Sequence, residues 1–191
     1  MNTQTHLLLA SAVLGRGATG RQHAGILMGA LTPDLSIFAL AAVAVATGMS
    51  GEAVWEGAYW SEPWQTLSAI SNSVPLWAAG LAVSSWLRRR ALVLLFAAGL
   101  LHLAFDLPLH ADDAHRHFWP LSDWRFHSPV SYWDPAHHGR VASLVEAAGG
   151  LTLVSVLWRR HGARWVRLGL SLAALSYAAV PLFWLWSLGA G

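Results

Sequence analysis

R-R-R-A-L-V-L-L-F-A-A-G-L-L-H-L-A-F-D, Arg88 to Asp106, decides the fold. Three consecutive arginines stand at one end of an apolar run that continues to residue 109, and no further charge follows until Asp106. At ~1.5 Å per helical residue the run spans roughly 30 Å, the thickness of a bilayer's hydrocarbon core. Basic residues at one end of such a run are the mark of a helix anchored at a membrane face.

Working outward, four more segments approach or exceed the ~20 residues a crossing needs: 23–47, 67–87, 141–158 and 166–188. Pro33-Asp34 interrupts the first of these. A further stretch, 6–15, covers only about half a bilayer unless its N-terminal residues join the helix. The pattern predicts an all-α, polytopic transmembrane helical bundle of about six segments, the first short and the second broken at Pro33-Asp34. Residues 1–191 then form a single integral membrane domain with an outer loop at about 110–140. Composition agrees. The chain is 55% hydrophobic and 12% charged, about half the charged share of an ordinary soluble domain. The opening residues carry no basic stretch, and no small-residue cleavage site follows 6–14, so no removable signal peptide is expected.

The arginines set the topology. All 12 basic residues are Arg, a coding bias that, with abundant Ala and Leu, suggests a GC-rich bacterial source. Arg16 and Arg21, then Arg88–Arg90, then Arg159, Arg160, Arg164 and Arg167 fall in alternate connections. Alternate connections share one face, which the positive-inside rule makes cytoplasmic. The other face carries residues 48–66, with Glu52, Glu56 and Glu62, and residues 110–140, where three Arg are offset by Asp112, Asp113, Asp123 and Asp134. The expectation is a multi-pass protein of the bacterial inner membrane with both termini periplasmic. The basic pI of 9.7 then reflects topology, and no nucleic-acid partner is expected. Trp and Tyr gather at the predicted boundaries, at Trp55, Tyr59, Trp60 and Trp64 and from Trp119 to Trp133, as in interfacial aromatic belts.

Ionisable groups at membrane depth are costly and mark cavities or partners. His6 lies ten residues from Arg16, Asp34 thirteen from Arg21, and His102 and Asp106 twelve and sixteen from Arg90. At ~1.5 Å per residue all four sit roughly 15–24 Å from the arginine face. His102 and Asp106 are i and i+4 and share a helix face. Imidazole nitrogen with carboxylate oxygen suits a divalent metal such as Zn, Mn or Fe. The alternative is structural: Asp34 caps the helix restarting after Pro33, and the histidines hydrogen-bond between helices. Just beyond, His110, Asp112, Asp113, His115 and His117 form a loop rich in ligand-type side chains. Glu146 lies near the outer end of its segment and either faces the same cavity or reaches the interface. His23, His161 and His137-His138 read as structural, solvated or interfacial. Ser128 and Ser131 lack a paired His and acid. The absence of Cys excludes disulfides, thiolate metal sites and Cys nucleophiles.

Three stretches carry a resemblance. T-H-L-L-L with His6, L-T-P-D-L with Asp34, and L-H-L-A-F-D, Leu101 to Asp106, followed by F-W-P-L-S-D-W-R-F, Phe118 to Phe126, are similar to the YdjM-like bacterial inner-membrane proteins, described as metal-dependent hydrolases. Order and spacing agree over about two thirds of the chain. The resemblance implies a membrane-embedded hydrolase with His6, Asp34, His102 and Asp106 as metal ligands. Two departures mark a divergent branch: the family's second Asp is Ser36, and its H-R-G-x-T-H-S motif is replaced by S-A-I-S-N-S, ending in Asn72-Ser73. Asp113 or His117 is then the candidate general base, and a lipid or other amphiphile at the outer leaflet the candidate substrate. The competing expectation is a non-catalytic membrane subunit that binds a protein partner through its aromatic-rich outer loop. A transporter is a third, without an inverted repeat to support it.

Overall fold

The computed structural model describes residues 1–189, and side chains as far as Phe183. The described residues form eight α-helices: α1 (Thr3–Leu14), α2 (Gly20–Leu31), α3 (Leu35–Thr47), α4 (Glu62–Ser71), α5 (Val74–Trp86), α6 (Arg90–Asp106), α7 (Gly139–Arg160) and α8 (Arg164–Gly189). Among the described residues there is no strand. Five helical stretches are long and apolar enough to cross a membrane: Gly20–Thr47, Glu62–Trp86, Arg90–Leu109, Gly139–Arg160 and Arg164–Phe183. With the half-length α1 they make the expected six segments. Large apolar side chains face outward along them, Val45 at 85% and Leu175 at 67% exposure, as a surface facing hydrocarbon requires.

The break at Pro33 is gentler than expected. α2 passes into α3 through a single 3-10 turn, Thr32–Asp34, so the span remains one continuous helical stretch of 28 residues. Thr32 Oγ1 donates to the Met28 carbonyl at 2.7 Å, satisfying a group at the turn. A second break was not anticipated. The expected segment 67–87 begins at Glu62 and is divided at Asn72–Ser73 into α4 and α5. Ser73 caps α5 by accepting from the Leu76 amide at 3.2 Å, and Pro75 occupies its first turn. Both are ordinary helix-start signals, hidden within an apolar run.

The two breaks meet. Asn72 Nδ2 donates to the Pro33 carbonyl at 3.3 Å and to the Ser68 carbonyl at 3.0 Å. Backbone groups freed inside a bilayer need such partners. The outer loop docks on the same place: the Val74 amide donates to the His117 carbonyl at 2.8 Å, and Ser73 Oγ donates to the Trp119 carbonyl.

α6 is the central helix, packed against α1, α2 and α5, while α1 also packs against α7, and α7 against α8. The sequence G-I-L-M-G, Gly25 to Gly29, lets α2 lie directly on α6. A Cβ at Gly29 would strike the Leu95 carbonyl, and one at Gly25 the Ala91 carbonyl. Small residues four apart permit this backbone approach between membrane helices. Ala10, Ile26, Ala30 and Ala98 close the seam among α1, α2 and α6.

Candidate metal centre

The α2–α6 approach fixes one side chain in a chosen state. It brings the Ala30 carbonyl to 2.7 Å from His102 Nδ1. A carbonyl only accepts, so Nδ1 carries the proton and Nε2 presents its lone pair. That Nε2 is enclosed and has no hydrogen-bond partner. It faces Asp34 Oδ1 at 3.5 Å and Asp106 Oδ2 at 3.8 Å. His6, from α1, stacks on the same ring, with centroids 3.5 Å apart and planes within 9°.

Asp106 is the point of convergence, 2% exposed at the end of α6. Its Oδ1 lies 3.2 Å from His6 Nε2 and 2.5 Å from the Met1 nitrogen. Its Oδ2 lies 2.9 Å from His110 Nε2. One carboxylate thus touches groups from α1, α6 and the outer loop. Asp34 stands beside it. The expectation that Asp34 caps α3 is not met, since it makes no side-chain cap bond. Its carboxylate turns inward, where Oδ2 accepts from Thr3 Oγ1 at 2.6 Å.

The loop closes the outer side. His110 lies between two carboxylates, Asp106 and Asp113, the latter 2.9 Å from Nδ1 but off the angle of a hydrogen bond. Burial alone would lower His110, yet Asp106 and then Asp113 raise it to about 9. Asp113 is held below the usual carboxylate range: burial opposes this, but His110 outweighs it, with Trp133 Nε1 donating at 3.2 Å. His115 retains some exposure as a residue while its imidazole is enclosed. Its ring lies 4.8 Å from that of His110 and 5.7 Å from that of His117. Burial first, and the charge of His110 second, push it down to about 3. His117 is lowered by burial, and its Nδ1 donates to the Asn72 carbonyl, 3.1 Å away.

Two sets of ligand atoms, each within 4.8 Å of one another, emerge: His6, His102 and Asp106, and Asp106, His110 and His115. Three of the four expected metal ligands fall in the first set, and Asp34 borders it through His102. Asp113 touches the second set. His117 belongs to neither and reaches the centre only by way of His115.

No family model, curated protein or solved structure matches the chain. The centre therefore stands on its own geometry.

Sequence reading left His110 and His115 unassigned, although His110 is i+4 from Asp106, the same spacing that paired Asp106 with His102. It also left Glu146 open. Glu146 is buried, and its Oε1 accepts from the Asn2 amide at 2.7 Å and from Thr5 Oγ1 at 2.6 Å, while Thr5 also meets Tyr177. This polar seam ties α1 to α7 and α8. Ser128 and Ser131 serve turns: Ser128 Oγ donates to the Pro108 carbonyl and Ser131 Oγ accepts from the Asp134 amide. A third set, Asp112, Asp134 and His137, lies at the loop surface.

Proposed function

We propose that this chain is a membrane-embedded metal-dependent hydrolase whose His/Asp centre lies in the outer half of the bilayer. The observation that carries the reading is the bare Nε2 of His102. An enclosed imidazole nitrogen that faces two carboxylates calls for positive charge between them, which a bound divalent cation or a second ring proton supplies; this reading rests on the first. The donor set of imidazole nitrogen and carboxylate oxygen fits Zn, Mn or Fe. The Ala30 carbonyl behind His102 has the form of the outer-shell partner that metal-binding histidines use.

His6, His102 and Asp106 would hold the ion, with Asp34 completing the set. A divalent cation in that position supplies Lewis-acid polarisation of the bond to be cleaved. Asp113, which reaches the centre through His110, would accept the proton from the attacking water; His117 is the alternative base. A groove of about 590 Å³, lined by Asn2, Tyr132, Trp133, Ser176 and Phe183 among others, has none of the proposed ligands in its wall and adjoins the centre only through Tyr132. The Tyr132 ring lies 5.4 Å from that of His110. Apolar walls with a few polar groups suit a lipid or other amphiphile. The arginine-bearing face is cytoplasmic in this reading, both termini are periplasmic, and the protein is a divergent YdjM-like member of the bacterial inner membrane.

A second reading draws on the seam formed by Glu146, Thr5 and Tyr177, in which polar side chains satisfy one another between helices. The chain is then a non-catalytic membrane subunit with a protein partner. Metal analysis of the purified protein beside the His102→Ala, Asp106→Ala variant separates the two. Near-stoichiometric divalent metal in the parent and its loss from the variant is the hydrolase outcome. Equal, negligible metal in both, with a co-purifying partner, supports the subunit and removes the hydrolase.

A further inference from the structure

The opposite end of the bundle holds a second polar cavity, remote from Asp106 and independent of the reading above. It has a volume of about 630 Å³ and is lined by Ser11, Gly15, Arg16, His23, Arg160 and His161, among others. Three helix ends supply it: the end of α1, the start of α2 and the junction of α7 with α8. No Asp or Glu occurs in the sequence near any of them, or near the Arg88–Arg90 turn on the same face.

The negative ends of this cavity are already occupied. Arg160 donates to the Ala12 carbonyl at 2.6 Å, and the Gly15 amide to the Ser11 carbonyl at 3.0 Å. What remains is cationic or unpartnered. Arg16 is exposed, and its side chain makes no hydrogen bond or ion pair among the described residues. His23 Nδ1 donates to the Thr19 carbonyl at 3.2 Å, so its enclosed, unpartnered Nε2 is an acceptor, and the ring shapes the wall while the arginines supply the charge. The His23 and His161 rings meet edge to face at 5.9 Å.

We propose that this cavity binds a phosphate group, with Arg16 and Arg160 as its charged arms and His23 and His161 as its walls. Guanidinium forks match phosphate oxygens, and basic pockets between membrane helices on one face recognise anionic headgroups. The phosphate belongs either to a membrane lipid or to a soluble ion.

The test uses the full chain and two probes. Inorganic phosphate is titrated at constant ionic strength, with thermal unfolding in detergent as readout. In parallel, nanodiscs of phosphatidylcholine with or without phosphatidylglycerol are compared for lipid retained after extraction. The Arg16→Gln, Arg160→Gln variant is set beside Arg88→Gln, Arg89→Gln, which removes equal charge from the same face outside the cavity. We expect at least about tenfold weaker binding in the cavity variant and little change in the control. Retention of phosphatidylglycerol alone identifies a lipid headgroup; a response to phosphate alone identifies a soluble anion. If the cavity variant unfolds because α1 loses Arg160, Arg16→Gln alone is read for the same directional loss. Equal losses in cavity variant and control, or no binding of either probe by the parent, overturn the proposal.

Discussion

The imidazoles of His6 and His102 lie face to face, with centroids 3.5 Å apart and planes within 9°. Both rings turn Nε2 towards the same carboxylate, Asp106, at 3.2 and 3.8 Å. The stack offers a substitution. His6→Phe keeps a flat ring in the stack and removes both nitrogens. Metal affinity should fall at least about tenfold, and the metal-free protein should lose ~1–3 kcal/mol because Asp106 Oδ1 loses its His6 partner. Unaltered metal content would exclude His6 as a ligand.

Asp34 has no capping duty, so its removal should not unravel α3. For Asp34→Asn we expect unchanged helical circular dichroism and about tenfold weaker metal binding, the usual scale for a bordering carboxylate. A drop in helicity without a change in metal affinity would return Asp34 to a structural role.

The pairing of His110 with Asp106 and Asp113 predicts a pH dependence. In the folded state His110 is raised from 6.5 to about 9. A raised histidine contributes stability that is fully present below the unfolded value and is lost as pH rises through the folded one. The metal-free protein should therefore lose thermal stability between about pH 6.5 and pH 9. His110→Gln should flatten that decline. A profile identical in parent and variant across this window would show that the ion pair contributes nothing.

Gly29→Ala tests how α2 positions the centre. The new Cβ meets the Leu95 backbone, which cannot rotate away. Separating the helices should cost ~1–3 kcal/mol and draw the Ala30 carbonyl from His102, weakening metal binding as well. Gly51→Ala, in open space, is the control and should be silent in both measurements.

Much of this was legible in the sequence because membrane burial leaves a coarse signature. Arg88–Arg90 and the run behind them located α6, and the depth of His6, Asp34, His102 and Asp106 from the arginine face predicted that they lie at one level. Three of them do share a ligand set, and the fourth borders it. What escaped was local. The Ser73–Pro75 start of α5 lay within an apolar stretch long enough to cross unbroken, so hydropathy concealed it. The loop histidines were visible as ligand types but not as a set, because nothing in the 32-residue connection between α6 and α7 states which way it folds; its path is set by backbone bonds to Val74 and between Ser128 and His110. Glu146 gave two readings at its depth, and only the Asn2 and Thr5 contacts decide between them.

Asp106 draws its neighbours from residue 1 to residue 110, and the seam beside it ends at Tyr177. No single helical hairpin contains the centre. The carboxylate of Asp106 therefore gains its partners only once α1, α6 and the residues beyond Leu109 have come together. An acidic group at that depth is penalised until they do. Assembly of the ligand set is thus a tertiary event, separate from the bilayer entry of any one helix.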